Sequence, residues 1–228
     1  MKKFLYALIL LFASFFLSSC DSKFDDDYDP QLRILMATPS DRDVDIFLDD
    51  TFLVSNVRNG ESTGFINTNN DFKLLTVEDS STGEILLQSN IELDDANRYT
   101  FVIAGNENQF QGFLIEDDDD EPNLERFELR VMNLAINQGP LDVYIDRGDP
   151  SLGDTRPREI SMTYGSISKY KNDRSDDYRI RVTNAGALNV LADSGLLFFR
   201  SREVATAYIV SRPNGTTRVI VLSDFPRN

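Results

Sequence analysis

The side chains able to do chemistry in this chain are almost all carboxylates and arginines. In 228 residues there are 38 Asp and Glu against 23 Lys and Arg, no His, and a net charge of −15. Without imidazole there can be no Ser-His-Asp triad, Cys-His dyad, His general base or His metal ligand. Zinc would depend on carboxylates and a single Cys. What remains is paired-carboxylate hydrolysis, calcium ligation or ion pairing. Asp142, Asp146, Asp149 and Asp154 crowd one stretch and offer oxygens for calcium, but the related earlier stretch lacks counterparts to the last two. Arg147-Gly148-Asp149 has the composition of an adhesion tripeptide and equally of a turn after a strand. Tyr164-Gly165-Ser166 lacks the second Gly and the His partner of a nucleophile elbow. No Walker A or dinucleotide glycine pattern occurs. The expectation is a non-catalytic protein with no cofactor and no metal.

The elements that position these residues come in two copies. Leu32 and Leu129, Asp45 and Asp142, and Asp49 and Asp146 are each 97 positions apart. Three matches at one offset mark a duplicated unit. Gly60 and Phe65 match Gly165 and Tyr170 at 105, Phe72-Lys73-Leu74 matches Tyr178-Arg179-Ile180 at 106, and Val102-Ile103 matches Ile209-Val210 at 107. The growing offset places a longer loop in the second copy at Arg147–Arg158. Arg33 with Asp45, and Arg130 with Asp142, are expected to meet across a sheet as structural ion pairs.

Val44, Ile46 and Leu48 alternate with Asp45, Phe47 and Asp49, the pattern of a half-buried strand. Phe47 and its counterpart Tyr144 fall on the polar face. They are expected to pack under a loop or between domains, or to meet a partner. Further strands are predicted at 51–54, 64–67, 72–78, 85–88, 99–104 and 110–115. In the second copy they are predicted at 128–133, 141–146, 158–162, 166–170, 178–183, 195–201, 205–211 and 217–223. Turn clusters separate them, including Asn214-Gly215, a hairpin signal that also accounts for the sequon Asn214-Gly215-Thr216. No stretch has helical periodicity. The fold expected is all-β: two tandem immunoglobulin-like β-sandwiches, repeat one over 32–115 and repeat two over 127–223. Each copy has a full strand set and room for its own core, so each is expected to fold alone.

The amino-terminal order is Lys2-Lys3, an apolar run from Phe4 to Leu17, then Ser18-Ser19-Cys20. That is the charge, apolar core and small-residue order of a secretory signal over residues 1–19, and the run is short for a membrane span. Leu17-Ser18-Ser19-Cys20 resembles the lipobox of bacterial lipoproteins, which implies acylation of Cys20 and a membrane anchor. Residues 20–31 read as an acidic, self-repelling tether, and the six acids Glu116–Glu121 open a solvated linker over 116–126. Such a run is not expected to be buried, because its charges would go unpaired. Asp21 leaves inner versus outer membrane undecided.

Over most of 32–222 the chain resembles uncharacterised bacterial exported proteins with tandem domains of unknown function. The resemblance rests on Arg33 with Val44-Asp45-Ile46-Phe47-Leu48-Asp49, on Arg130 with Leu141-Asp142-Val143-Tyr144-Ile145-Asp146, and on Tyr164-Gly165, where the first copy has Asn59-Gly60. It implies immunoglobulin-like sandwiches on a cell-envelope protein and supplies no catalytic residue or ligand.

Charge is uneven. Residues 20–122 hold 25 acidic and 6 basic residues, and residues 123–228 hold 13 acidic and 15 basic. The second copy, through Lys169, Lys171, Arg179 and Arg181, is therefore expected to meet an acidic partner. With Phe47 and Tyr144 these are the candidate partner contacts. The function expected is a lipid-anchored binding or interaction module of the envelope, periplasmic or surface-facing. Its partner is another protein or a polysaccharide, not nucleic acid. A structural or assembly lipoprotein and a carbohydrate-binding module are the alternatives.

Overall fold

In the computed structural model, residues 29–117 and 120–224 are described. Cys20, the signal segment, most of the predicted tether and Asp118-Asp119 of the acidic run lie outside them. The first unit contains β1 (Gln31–Met36), β2 (Val44–Leu48), β3 (Thr51–Val57), β4 (Ile66–Asn67), β5 (Asp71–Asp79), β6 (Ile85–Leu93), β7 (Arg98–Asn106) and β8 (Gln109–Asp117). The second contains β9 (Arg126–Leu134), β10 (Leu141–Arg147), β11 (Glu159–Met162), β12 (Lys171–Arg174), β13 (Asp176–Asn184), β14 (Val190–Phe199), β15 (Glu203–Ser211) and β16 (Thr217–Ser223). A single 3-10 turn, Leu152–Asp154, sits in the longer loop of the second unit.

Each unit is a sandwich of two four-stranded sheets. In the first they run β4-β1-β7-β8 and β3-β2-β5-β6, and in the second β12-β9-β15-β16 and β11-β10-β13-β14. β1 pairs parallel with β7 and β9 parallel with β15, while the other pairings are antiparallel. The fold is the expected immunoglobulin-like β-sandwich, twice over. Alternation fills each interior. Leu32, Ile34, Met36, Val44, Ile46, Leu75, Val77 and Phe101 form one core, and Phe127, Leu129, Val131, Val143, Ile180, Val182 and Ile209 the other. In the second core Phe127 stacks on Phe199 at 4.4 Å and meets Tyr178 edge-on at 5.1 Å.

A third core joins the units. Leu35, Ala37, Val102, Ala104 and Ile115 pack with Met132, Leu134, Tyr208 and Val210. β1, β7, β9 and β15 are thereby buried on both faces, which is why Leu32-Arg33-Ile34-Leu35-Met36 reads as an apolar run rather than an alternation.

Three readings of the sequence need correction. Leu48 pairs with Leu75 and Ile145 with Ile180, so equivalent residues of β5 and β13 are 105 apart, not 106. Thr100 and Thr206 face Arg33 and Arg130, so β7 and β15 are related by 106, not 107. One position of slip moves a side chain to the opposite face. Phe72 is accordingly exposed and Tyr178 buried. Second, Ser166–Tyr170 is not a strand. Ser168 uses its hydroxyl to accept from the Val131 N–H at 3.0 Å, and regular pairing to β9 begins at Lys171. Third, Glu116 and Asp117 belong to β8, and Asp117 is buried because two guanidiniums face it.

Candidate functional site

The sheet β3-β2-β5-β6 turns its inner face to the core and its outer face to solvent. One cross-strand row on that outer face reads Phe52, Phe47, Thr76, Gln88. Phe47 meets Phe52 edge-to-face at 5.7 Å, and Gln88 Nε2 donates to Thr76 Oγ1 at 3.3 Å. Leu74 pairs with Asn90 and Phe72 with Glu92 farther along β5. Phe52 is 56% exposed and Phe72 66%, while Gln88, Asn90 and Glu92 are also exposed. Acids surround this apolar line: Asp45, Asp49, Asp71 and Glu78. Asp49 is held below the usual carboxylate range by the Leu74 N–H and by Lys73.

The equivalent outer face of the second sandwich is covered along β10, while Leu196 and Phe198 of β14 stay exposed. Tyr144, the counterpart of Phe47, pairs with Arg181 and is buried. Arg181 donates to Asp146 at 3.1 Å and to Asp149 at 3.4 Å, and Arg179 binds Asp149 at 2.7 Å and Asp193 at 2.8 Å. Asp149 belongs to the long loop, so these pairs clip the loop onto the sheet, and Leu152 of its 3-10 turn is buried.

The predicted contact residues do not form one surface. Phe47 is half-buried on the first sandwich, and Tyr144 is buried on the second. Lys171 lies on β12, in the other sheet from Arg179 and Arg181, and binds Glu159 at 2.6 Å. Lys169 is exposed in the preceding loop. The calcium reading loses its ligands. Asp142 accepts from the Ser161 and Gly186 N–H groups at 2.8 Å each, and Asp146 and Asp149 are occupied by arginine. Among the described residues no three such side chains are grouped to hold a metal. Arg147 pairs with Asp176, which with the pairs of Asp149 engages both charged members of Arg147-Gly148-Asp149.

The predicted Arg33–Asp45 and Arg130–Asp142 pairs do not form. β1 and β2 lie in different sheets, and so do β9 and β10. Asp45 instead accepts from Ser80 Oγ at 2.5 Å and from the Asn56 N–H at 3.0 Å. The arginines face the junction between the sandwiches. Arg33 donates to Thr100 at 2.8 and 3.0 Å, to Asp117 at 3.3 Å, to Asp224 at 2.9 Å and to the Ser223 carbonyl at 2.6 Å. Arg130 donates to Thr206 at 2.8 Å, to Asp117 at 2.8 Å and to the Glu116 carbonyl at 3.0 Å. Thr100 donates to Asp117 and Thr206 to Asp224, both at 2.6 Å. Arg33 lies over the Phe65 ring at 4.5 Å and Arg130 over the Tyr170 ring at 4.4 Å. Each arginine thus uses its own unit's threonine and aromatic, and the other unit's aspartate and carbonyl. That reciprocity is the signature of a two-fold contact. Burial, with Asp224 alongside, pushes the Asp117 carboxyl up to about 7, against the pull of Arg33, Thr100 and Arg130. Burial also raises Tyr170 and Tyr208 well above the ordinary phenol range.

A described protein family, the domain of unknown function DUF4397, matches residues 30–144, half of the chain. The chain belongs to this family. The DUF4397 match takes in the whole first sandwich and enters the second as far as Tyr144 in β10. No curated protein matches the chain. Among solved structures, CBMbc (family CBM26) from Eubacterium rectale Amy13K, in complex with maltoheptaose, matches at 12% identity and a TM-score of 0.29. The alignment covers 86% of this chain and 98% of that one.

Sequence reasoning missed the junction of this DUF4397 protein, and the signal for it was present. Thr100 and Thr206 are 106 apart, Asp117 and Asp224 107 apart, and Phe65 and Tyr170 105 apart. An Arg in the middle of an apolar strand in both copies was the pointer to a buried partner.

Proposed function

We propose that this protein is a non-catalytic binding module, anchored to the bacterial cell envelope through acylated Cys20, that holds a neutral or amino-sugar polysaccharide across the outer face of its first sandwich. The observation that supports it is the exposed pair Phe52 and Phe72 on an open sheet, beside the amides of Gln88 and Asn90. Aromatic faces stack on the apolar faces of sugar rings, and amides bond to hydroxyls. The acidic surround repels anionic polymers and favours amines. On the second sandwich the counterpart of Phe47 is covered by the long loop that Arg179 and Arg181 clip down, and the exposed Phe198 stands opposite Asp177 rather than beside amides. The anchoring part rests on the order Lys2-Lys3, apolar run, Leu17-Ser18-Ser19-Cys20.

Co-sedimentation of the soluble form starting at Asp21 with chitin, cellulose and peptidoglycan tests the ligand. Binding should fall at least about tenfold in Phe52→Ala and Phe72→Ala, with unfolding unchanged because both rings are exposed. Retention by none of the three, or equal retention of the variants, refutes the sugar reading. Retention abolished by protease treatment of the matrix assigns a protein partner instead. For the anchor, mass spectrometry should find acyl chains on Cys20, and Cys20→Ala should leave the membrane fraction.

A further inference from the structure

A cleft of about 410 Å³ opens where the first unit's loops meet the β15–β16 hairpin of the second, and arginines from both units line it. Arg218 on β16 reaches across the junction. Its Nη2 donates to Asn59 Oδ1 at 2.7 Å, and the guanidinium covers Gly60, where any Cβ would overlap it. Gly60 has φ +79°, a backbone conformation that favours glycine. Asn59 is itself fixed, donating to the Thr38 and Ser211 carbonyls at 2.5 and 3.3 Å. Arg218 Nε is buried with no acceptor. Among the described residues neither Arg218 nor Arg212 has a carboxylate within ion-pair distance, in a chain of net charge −15. Burial, then repulsion from Arg212, lowers the Arg218 pKa. Two acids also line the cleft. Asp43 is taken by Arg58 at 3.2 Å, and Asp41 is exposed. Asn214 has its Oδ1 occupied by the Thr216 N–H and hydroxyl at 3.1 and 2.7 Å, which leaves its amide N–H groups as donors.

The opposite end of the two-fold junction is the control. There Tyr164 stands for Asn59 and Gln111 for Arg218; the tyrosine donates to Gln111 Oε1 at 3.0 Å and meets Phe113 edge-on at 6.3 Å. That end is a neutral plug. Unpaired arginine stands at one end only, and partial burial of Arg218 disfavours its charge until something negative arrives.

We propose that the cleft between Arg212 and Arg218 binds an oxyanion, the phosphate or carboxylate of a small ligand of about monosaccharide size. The volume lies within the range of small-ligand clefts, and paired guanidiniums match both anions in fork geometry. The site is independent of the Phe52–Phe72 face.

The test is titration of the soluble protein, starting at Asp21, with inorganic phosphate, glucuronate and, as the neutral control, glucose. At low ionic strength the anion should bind and raise Tm by an amount that Arg212→Ala removes, and any response to glucose should be unchanged by that substitution. Phosphate alone identifies a free-phosphate site, and glucuronate binding more tightly than phosphate identifies a sugar-acid site. Arg212→Ala, on an exposed side chain, should weaken binding at least about tenfold, the value of one charge-assisted hydrogen bond. Arg218→Lys should do the same while keeping the charge. Arg42→Ala, which removes a surface arginine paired with Glu84, should change nothing. No binding of either anion at millimolar concentration, or equal binding by wild type and Arg212→Ala, overturns the proposal.

Discussion

Removing Arg33 should damage the protein more than removing Arg130, although the two are equivalent by position. Arg33 is shared between Asp117 and Asp224, whereas Arg130 forms an ion pair with Asp117 only. Arg33→Ala leaves Asp224 buried with hydroxyl donors from Thr206 and Tyr170 and no cation. A stranded buried charge of this kind costs about 3–5 kcal/mol. Arg130→Ala leaves Asp117 with Arg33, and it loses charge-assisted hydrogen bonds of about 2 kcal/mol in all. In a chain of this length each kcal/mol moves Tm by about 2–4 °C. Arg33→Ala should therefore lower Tm by about 10 °C and Arg130→Ala by about half of that. The assay is urea unfolding of the soluble protein, with Tm as a second readout. A double variant isolates the cause. Asp224→Asn removes the stranded charge, so Arg33→Ala with Asp224→Asn should be about 2 kcal/mol more stable than the sum of the two single losses predicts. Equal destabilisation by the two arginine variants, or strict additivity in the double variant, would refute the reasoning.

Other outcomes follow from the same geometry. The first sandwich alone, ending at residue 117, carries Arg33, Thr100, Asp117 and Phe65, so it should pair with itself; sedimentation showing a monomer at micromolar concentration would contradict the two-fold reading. Arg181→Ala should release the long loop at the cost of about 2–3 kcal/mol and make residues 148–158 protease-sensitive, whereas Arg179→Ala, on a more exposed side chain, should cost under about 1 kcal/mol. Asp117 has its folded pKa raised from 3.8 to about 7, so the folded state holds the extra proton between those values and this group's contribution to stability falls as pH rises through that window. Asp49 and Asp79, with lowered pKa values, act oppositely, and their contribution is lost as pH falls below the ordinary carboxylate range. The stability difference between wild type and Asp117→Asn should therefore shift against wild type from pH 5 to 7; an unchanged difference would place the Asp117 pKa elsewhere.

Much of the fold was legible because alternation is a local property. Val44, Ile46 and Leu48 announced their strand, and Asn214-Gly215 announced the final hairpin within a few residues. The junction was not legible for two physical reasons. Its partners are remote, Arg33 and Asp224 being 191 positions apart, and no local pattern joins them. The copies also differ in hairpin length, so the offset drifts from 97 to 107, and an error of one assigns residues to the wrong face. That is how Val102 came to be matched with Ile209 rather than with Tyr208, which lies in the shared core. Asp117 was hidden differently. It sits in a run of six acids, and composition cannot show which of them is spent on two arginines.

The two units have kept the same interior and diverged at the rim, and the division falls where physics sets it. At the centre each unit supplies an Asp and a carbonyl to the other unit's Arg, so loss of Arg33 from one copy strands Asp224 in the other. Such positions can change only together. The rim has no such coupling. Thr76 beneath an open aromatic row corresponds to Arg181 beneath a clipped loop, and Gln111 beside Tyr164 corresponds to Arg218 beside Asn59. Each of those differences alters a surface without disturbing the buried ion cluster. A duplicated unit held together by reciprocal buried ion pairs is thus free to acquire an open aromatic row on one copy and a charged cleft at one end of the junction, and those two asymmetries are where binding is expected.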